Sequence, residues 1–314
     1  MSTRLGSLKL LFLAAALVLL PMRALAQDSV GTTPASPAPS PTPGVSVPAG
    51  AAAATDLSAP RLPKTDLDLL TLYKDNYFLT GFNAATEVKF QFSAKFDIWP
   101  NRGPHAVYFA VTQRSLWDVY RASQPFRENN YEPELLYTYY HVPGRYDPLA
   151  GCGFFLERLG FLHSSDGLGG DTSRGWNRAY GESRFACYNA ARNYILANLV
   201  LWASLLPEHN NENITQYQGY GELSLSVGSD SGQGALGDWD FTSHGRKGTL
   251  RRLDVGSVEI DVRWRPHYGN LIRFTPYLYA QIFTGYGETL LNYNHSLTAV
   301  RVGIGFTDSS TRSE

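Results

Sequence analysis

From about residue 65 onward, apolar and polar side chains alternate along the chain with a period of two. Between Val88 and Ile98, one set of alternate positions carries valine, phenylalanine, alanine and isoleucine, and the other carries lysine, glutamine, serine and aspartate. Residues 300–306 repeat the pattern, with valine, isoleucine and phenylalanine separated by arginine and glycine. Successive side chains of a β-strand point to opposite faces, and a helix does not produce this alternation. Both segments are therefore predicted to be strands with one apolar face.

Similar segments recur between clusters of glycine, asparagine, aspartate and proline, and they predict about twelve strands in all. The predicted strands cover 77–83, 88–98, 105–120, 133–143, 152–165, 176–189, 193–206, 216–227, 236–246, 252–265, 270–284 and 300–306. The segment 195–206 is apolar on both faces and is also compatible with a helix.

Two architectures accommodate many alternating strands: a soluble β-sandwich, and a closed barrel in an outer membrane. Many of the predicted strands have the ~10–13 residues needed to cross a ~25 Å apolar band at a tilt. Their polar faces carry isolated charges, which a barrel lumen accepts and a sandwich core does not. Tyrosine and tryptophan lie near strand ends, as in an interfacial girdle, at Tyr77, Trp99, Trp117, Tyr137, Trp176, Trp202 and Trp264. We therefore predict an all-β fold, a twelve-stranded antiparallel transmembrane β-barrel that closes because lipid leaves no partner for a free edge.

The first 26 residues have the features of a secretory signal peptide. Arg4 and Lys9 precede an apolar stretch from Leu10 to Leu20, and Ala24–Ala26 provides a small-x-small cleavage site before Gln27. A membrane anchor helix is the alternative, but this apolar stretch is short. Export from the bacterial cytoplasm and the predicted barrel together predict a multi-pass protein of the bacterial outer membrane.

Residues 27–64 form a segment dominated by proline, alanine, serine and threonine. It has too few large apolar side chains to offset the entropy of ordering it, and we expect a disordered tail. The predicted organisation is thus a signal peptide (1–26), a disordered linker (27–64) and a barrel domain (65–314).

Charge and composition narrow the range of partners. The chain is 43% hydrophobic and 18% charged, with 27 basic and 28 acidic side chains among 314 residues. A net charge of −1 gives no basis for nucleic-acid binding. No run of ~18 apolar residues occurs beyond residue 26, which argues against a bundle of membrane-spanning helices.

Two adjacent predicted strands place reactive side chains side by side. His163 and Ser165 share one face of their strand, and an antiparallel hairpin centred near residue 170 puts His163 opposite Asn177. The other face of the second strand carries Arg178, Tyr180, Glu182 and Arg184, which belong in a polar lumen, so these three groups face lipid. They match a hydrolase in which Ser165 attacks, His163 takes the proton and Asn177 holds the imidazole. The alternative is that they are polar residues at the membrane–water interface.

Cys152 and Cys187 are the only cysteines in the sequence. The same hairpin register leaves them one position out of step and on opposite faces, so we expect free thiols. Their spacing does not resemble a metal-binding motif.

Several distinctive blocks are distributed along the predicted barrel. They are Lys89-Phe-Gln-Phe-Ser, Thr112-Gln-Arg-Ser-Leu-Trp117, Ser123-Gln-Pro-Phe-Arg-Glu-Asn-Asn-Tyr-Glu-Pro133, His163-Ser-Ser165, Thr172-Ser-Arg-Gly-Trp-Asn-Arg178, Ile214-Thr-Gln-Tyr-Gln-Gly-Tyr220 and Gly285-Tyr-Gly-Glu-Thr-Leu-Leu-Asn-Tyr293. Over residues 73–306, the chain resembles bacterial outer-membrane phospholipase A. The resemblance implies calcium-dependent hydrolysis of phospholipid and lysophospholipid acyl esters at either glycerol position (A1/A2), with Ser165, His163 and Asn177 as the triad.

The resemblance also implies a homodimeric active state with Ca²⁺ near the seam. Its calcium ligands match the Leu168 carbonyl, the Ser173 hydroxyl and, from the partner subunit, Ser123, while a dimer-interface glutamine matches Gln113. The family usually has aspartates at two nearby positions, which here are Gly170 and Asn210. Three alternatives follow: Asp171 and Glu208 substitute with a shifted backbone, calcium affinity is low, or the metal comes from membrane-bound ions. Ca²⁺ suits oxygen ligands and assists a strand-borne serine, which has no helix N-terminus to stabilise an oxyanion.

The leading functional hypothesis is therefore a calcium-dependent phospholipase A1/A2 activated by dimerisation. The alternative is a non-catalytic outer-membrane barrel, either a channel or a structural protein, with a degenerate calcium site. A soluble lectin-like β-protein is the third hypothesis.

Overall fold

The computed structural model describes residues 70–82, 87–99, 103–141, 151–205, 210–229, 237–266 and 274–308. The predicted signal peptide, the predicted disordered tail and Glu208 lie outside these ranges. Among the described residues, no helix has the length and apolar character required to cross a membrane.

Thirteen antiparallel strands form one sheet in the described part of the chain. They are β1 (Leu70–Leu72), β2 (Asn76–Phe82), β3 (Val88–Asp97), β4 (His105–Trp117), β5 (Phe126–Tyr140), β6 (Gly151–Ser165), β7 (Gly175–Tyr188), β8 (Asn193–Ser204), β9 (Gly221–Ser229), β10 (Asp238–Lys247), β11 (Gly256–Arg265), β12 (Phe274–Gly285) and β13 (Leu297–Asp308).

Strands β2 to β13 close into a ring. Each pairs with the next along the chain, and β13 pairs back with β2, where Val300 lies opposite Phe82. The short β1 pairs with β3 beyond the end of β2, from Leu70 opposite Phe96 to Leu72 opposite Ala94. The predicted all-β, twelve-stranded antiparallel barrel is confirmed. Closure satisfies the strand hydrogen bonds that an open edge would leave unpaired in lipid.

The two faces of the barrel wall have opposite polarity. Exposed apolar side chains cover the outside, among them Phe92, Val111, Leu135, Leu159, Leu278 and Ile304. Buried polar and charged side chains line the inside, among them Lys89, Glu132, Arg158, Asp261, Gln281 and Arg301. A soluble sandwich would bury the first set and expose the second. The apolar exterior is what a lipid-embedded barrel requires.

The two largest differences from the predicted strand boundaries are in β5 and before β9. β5 begins at Phe126 rather than 133, because the apparently strand-breaking Glu128, Asn130 and Glu132 are alternate lumen-facing positions, all buried. Part of the predicted strand 216–227 is instead a short helix, Ile214–Gln218, which ends at Gly219 with φ +68°. The ambiguous segment 195–206 lies largely in β8 and is paired on both sides.

The prediction of free thiols is wrong, because Cys152 and Cys187 form a disulfide. A β-bulge between Phe154 and Leu156 shifts the β6–β7 register by one residue and sets the two cysteines directly opposite each other. Their Cα atoms are 4.0 Å apart. The disulfide joins β6 and β7 at the end of the hairpin farthest from its turn.

Replacing Cys152 and Cys187 together by serine is expected to destabilise the barrel by about 3–4 kcal/mol, since the bridge closes a loop with a sequence separation of 35. Unfolding by urea in detergent micelles measures the change, and wild-type protein with a reductant should behave like the variant. Denatured, non-reduced wild-type protein should have no titratable thiol. Two titratable thiols would contradict the disulfide.

Candidate active site

His163 and Asn177 lie directly opposite each other on β6 and β7. His163 Nδ1 and Asn177 Oδ1 are 2.8 Å apart. An amide oxygen only accepts, so this hydrogen bond requires the proton on Nδ1 and leaves Nε2 free to accept one. The predicted pairing is therefore present, and the imidazole has the tautomer that a general base requires.

Ser165 is the last residue of β6, two positions beyond His163 and on the same face. Its Oγ accepts a hydrogen bond from the Gly167 amide at 3.1 Å. Within the described residues, Ser165 and His163 make no hydrogen bond to each other. Catalytic hydrogen bonds often tighten only when substrate binds, so the spacing is compatible with proton transfer.

These side chains face the apolar exterior. The outward positions before His163 on β6 are Phe161 and Leu159, whose exposed fractions are 61% and 64%. A shallow hollow of about 410 Å³ lies beside the pair. Its lining includes Phe109, Pro133, Leu135, Phe161, His163, Asn177 and Leu205. An apolar chain can thus reach the histidine from the lipid side without entering the lumen.

The loop after Ser165 is organised by Asp166, a residue that the sequence reasoning missed. Asp166 is buried, and its carboxylate accepts hydrogen bonds from the amides of Leu168 at 3.0 Å and Arg174 at 3.1 Å. The Ser-Asp-Gly sequence is a signal for such a turn, since aspartate commonly bonds the amide two residues on. Asp166 thereby fixes the loop that carries the Gly167 amide.

Two of the predicted calcium positions, Leu168 and Ser173, belong to this loop, and a third, Asn210, contacts it. Asn210 comes from the segment after β8, and its Nδ2 donates to the carbonyls of Gly170 at 3.4 Å and Ser173 at 3.3 Å. Asp171 is exposed on the same loop. Among the described residues, none donates a hydrogen bond to the Leu168 carbonyl or the Ser173 hydroxyl, so both oxygens are available as ligands.

The oxygen donors of this loop fit a hard cation such as Ca²⁺. They are the Leu168 carbonyl and the Ser173 hydroxyl, with the Asp171 carboxylate on the same loop. Asn210 turns its amide nitrogen toward the loop, so its oxygen would ligate a cation there after the amide rotates. Gly170 has φ +66° and open space around its Cα, a backbone conformation that glycine adopts without strain. Arg174 Nη1 donates to the carbonyls of Asp171 and Ser173, which places a positive charge beside the loop.

Gln113 and Ser123 occupy separate positions on and above the outer wall. Gln113 lies on β4 between Phe92 and Tyr131 of the neighbouring strands, both exposed. Ser123 is exposed in the loop between β4 and β5, where it adopts φ 68°. No hydrogen bond among the described residues joins Ser123 to the loop 166–174.

A different cluster of potential metal ligands, His244, Glu259 and Asp261, lies in the lumen. His244 Nε2 is 3.2 Å from an Asp261 oxygen, and Lys89 Nζ is 3.5 Å from a Glu259 oxygen. These groups already neutralise one another and belong to the charge network of the lumen.

Comparison with known proteins gives consistent matches in sequence and structure. Residues 69–307 match the family model described as Phospholipase A1. Proteins named Phospholipase A1 from Salmonella typhimurium and Escherichia coli K12 are each 32% identical over 233 residues, covering 71% of this chain and 70% of theirs.

Solved structures agree with these sequence matches. An outer membrane phospholipase dimer with bound calcium from Salmonella typhi has a TM-score of 0.63 and 27% identity, covering 78% of this chain and 95% of that one. Outer membrane phospholipase A from Escherichia coli has a TM-score of 0.60 and 28% identity, covering 76% of this chain and 99% of that one.

Proposed function

This chain belongs to the phospholipase A1 family, and from that premise we propose that Ser165, His163 and Asn177 are the triad with which it cleaves phospholipid acyl esters. The protein is a phospholipase of the bacterial outer membrane. The observation that carries the proposal is the 2.8 Å contact between His163 and Asn177 on the lipid-facing side, with Ser165 on the same face. Phospholipids and lysophospholipids are the proposed substrates, at either glycerol position.

In the proposed reaction, Ser165 Oγ attacks the acyl carbonyl while His163 Nε2 accepts its proton. Asn177 keeps the imidazole oriented and stabilises its charged form through Nδ1. The ester C–O bond then breaks, His163 returns the proton to the departing glycerol oxygen, and an acyl-serine remains. Water attacks this ester with His163 again as base, which releases the fatty acid and restores the hydroxyl. The Gly167 amide, 3.1 Å from Oγ, is close enough to donate to the developing oxyanion.

The residues that would hold Ca²⁺ are Leu168 through its carbonyl, Ser173 through its hydroxyl and Asn210 through its amide oxygen, with Asp171 as a further donor. When bound, the ion supplies positive charge for stabilising the oxyanion. The supporting observation is that Asn210 already bridges to the loop of Ser173. A related structure from Salmonella typhi contains calcium.

A homodimer is the proposed active state, with Gln113 in the interface and Ser123 of a second copy completing the calcium site. Support comes from the exposed apolar side chains of Phe92 and Tyr131 beside Gln113. The related Salmonella typhi structure is a dimer. The proposed catalytic domain is 65–314, after a signal peptide of residues 1–26 and a linker of residues 27–64.

Labelling with a fluorophosphonate probe tests this function directly. Purified protein in detergent micelles should react in CaCl₂ and react much more slowly in EDTA, and peptide mapping should place the label on Ser165. An activated serine is required for this reaction. Calcium-independent labelling would contradict the metal. No labelling, or labelling at another serine, would favour the alternative of a non-catalytic barrel with a degenerate calcium site.

Asn210→Asp is expected to lower the calcium concentration for half-maximal activity by about tenfold, because a carboxylate binds the ion more strongly than an amide does. The same substitution removes the Asn210 hydrogen bonds to the loop, and both the variant and the wild type should be nearly inactive in EDTA. Asn189→Asp, with the same charge change in the turn after β7, is the control and should leave the calcium midpoint unchanged. An unchanged midpoint in the Asn210 variant would remove Asn210 from the ligand set.

A further inference from the structure

We propose that Arg178 is a positioning residue that holds the His163–Asn177 pair in place from the lumen side of the barrel wall. The inference rests on the triad proposed above. Arg178 follows Asn177 on β7 and therefore points to the opposite face, into the polar lumen, where it lines the internal cavity. Arg178 also contributes to the lining of the outer hollow beside His163, but its guanidinium group lies in the lumen against Trp176 and Trp202. We therefore expect its action on the triad to be transmitted through the strands.

The side chain of Arg178 crosses directly behind the catalytic pair. Leu162 lies opposite Arg178, His163 opposite Asn177, and Ser164 opposite Trp176. Arg178 Nη2 donates a hydrogen bond of 3.1 Å to Ser164 Oγ, a diagonal link from β7 to β6. Ser164 is buried and stands between His163 and Ser165 in the sequence. One lumen-side hydrogen bond thus ties the backbone at the base and nucleophile to the backbone at the asparagine.

The guanidinium group is itself held in a fixed place by two indole rings. Its carbon lies 4.1 Å from the ring centre of Trp176 and 5.6 Å from that of Trp202. Both rings are anchored, since Trp176 Nε1 donates to Ser204 Oγ at 2.7 Å and Trp202 Nε1 donates to the Gly219 carbonyl at 2.9 Å. Stacking on aromatic faces and directional donation are properties that lysine does not reproduce.

The same hairpin shows why a local lock matters. Nearer to the disulfide, β6 and β7 change register by one residue at the bulge between Phe154 and Leu156. A shift of this kind at the catalytic end would separate His163 from Asn177 and turn one of them toward the lumen. Catalytic geometry tolerates only small errors, and a displacement of about 1 Å can lower a rate by 10²-fold.

Kinetics of Arg178→Met, Arg178→Lys and Ser164→Ala test the inference. For Arg178→Met we expect kcat to fall about 10-fold to 100-fold, with KM within about twofold. Arg178→Lys should recover only part of this loss, although it keeps the positive charge. Ser164→Ala should lower kcat in the same direction, and the double variant should be no slower than Arg178→Met, because both substitutions break one link. The rate of fluorophosphonate labelling should fall in parallel.

Arg184→Met is the matched control, since Arg184 lies on the same strand and lumen face but donates to Glu182 at 2.7 Å. It should leave kcat within about twofold of wild type. If Arg178→Met does not fold, Ser164→Ala decides, because it removes only the accepting hydroxyl. The inference is overturned if the Arg178 and Ser164 variants match this control, or if their effects on kcat are additive. Activity remaining in Ser165→Ala would instead overturn the proposed triad itself, so the two failures are distinguishable.

Discussion

Replacing Ser165 by alanine should reduce fatty-acid release from phospholipid micelles by about 10⁴-fold or more, the loss typical when a triad nucleophile is removed. The fold should survive the change, because the Ser165 side chain makes a single described hydrogen bond, from the Gly167 amide. Titration of released fatty acid measures the rate, and the gel mobility of heated and unheated samples monitors the barrel.

His163→Ala should cost nearly as much as Ser165→Ala, and the double variant should be no slower than either, because the two residues act in one proton transfer. Ser226→Ala is the control, since Ser226 bonds Thr242 at 3.0 Å on a strand pair remote in sequence. It should retain full activity. Hydrolysis at more than a few per cent in Ser165→Ala would eliminate this serine as the nucleophile.

Arg301→Met is expected to destabilise the barrel by about 3–5 kcal/mol, since it removes one cationic partner from each of two buried carboxylates. The Arg301 side chain is fully buried, bonds Glu87 at 2.7 Å and also bonds Glu288. Those carboxylates are themselves almost inaccessible, at 1% and 2% exposure. Lys89, 3.4 Å from Glu288, and Arg127, 2.5 Å from Glu87, compensate only in part. The midpoint of urea unfolding in micelles reports the loss.

Arg252→Met provides the contrasting case, because Arg252 pairs with Asp254 at 2.9 Å in an exposed turn. Water screens such a pair, so the unfolding midpoint should not change measurably. Adding Glu288→Gln to Arg301→Met should restore part of the lost stability by removing a buried carboxylate that has lost its arginine. Equal midpoints for Arg301→Met and wild type would show that the network in the lumen contributes nothing to stability.

The barrel and the strand pairing at the turn end of the β6–β7 hairpin could both be predicted from the sequence. The outer wall contacts lipid and the inner wall contains charges, so the contrast between alternate positions is strong, and the strands and the His163–Asn177 pairing could be predicted. The bulge could not be predicted, because Phe154 and Leu156 are both apolar and give no signal of an inserted position. The disulfide was missed for that reason alone.

Other features required coordinates because they depend on distant segments. In the sequence, Pro133 and the polar residues before it resemble a loop. In the structure they belong to β5, and the polar side chains are buried in the lumen. The contacts of Asn210 with the loop 166–174 join the segment after β8 to the turn between β6 and β7, and local pattern carries no information on such a contact. Likewise, the sequence predicts only that Arg178 is a charged residue facing the lumen. Its hydrogen bond to Ser164 depends on the rotamer of the arginine side chain, which the sequence pattern does not predict.

The three proposed catalytic side chains all come from β6 and β7, strands joined by one short loop and fastened at their far end by the bond between Cys152 and Cys187. Pairing of these strands alone assembles the hydrolytic groups, so a solitary copy carries them complete. This enzyme resides within the lipid it degrades, and incomplete assembly of the triad therefore does not protect that lipid. In the proposed scheme, activity is limited from outside the hairpin, by the availability of the cation and of a second copy. Degradation of the envelope by its own enzyme would then depend on how often two copies meet and not on whether each copy has folded.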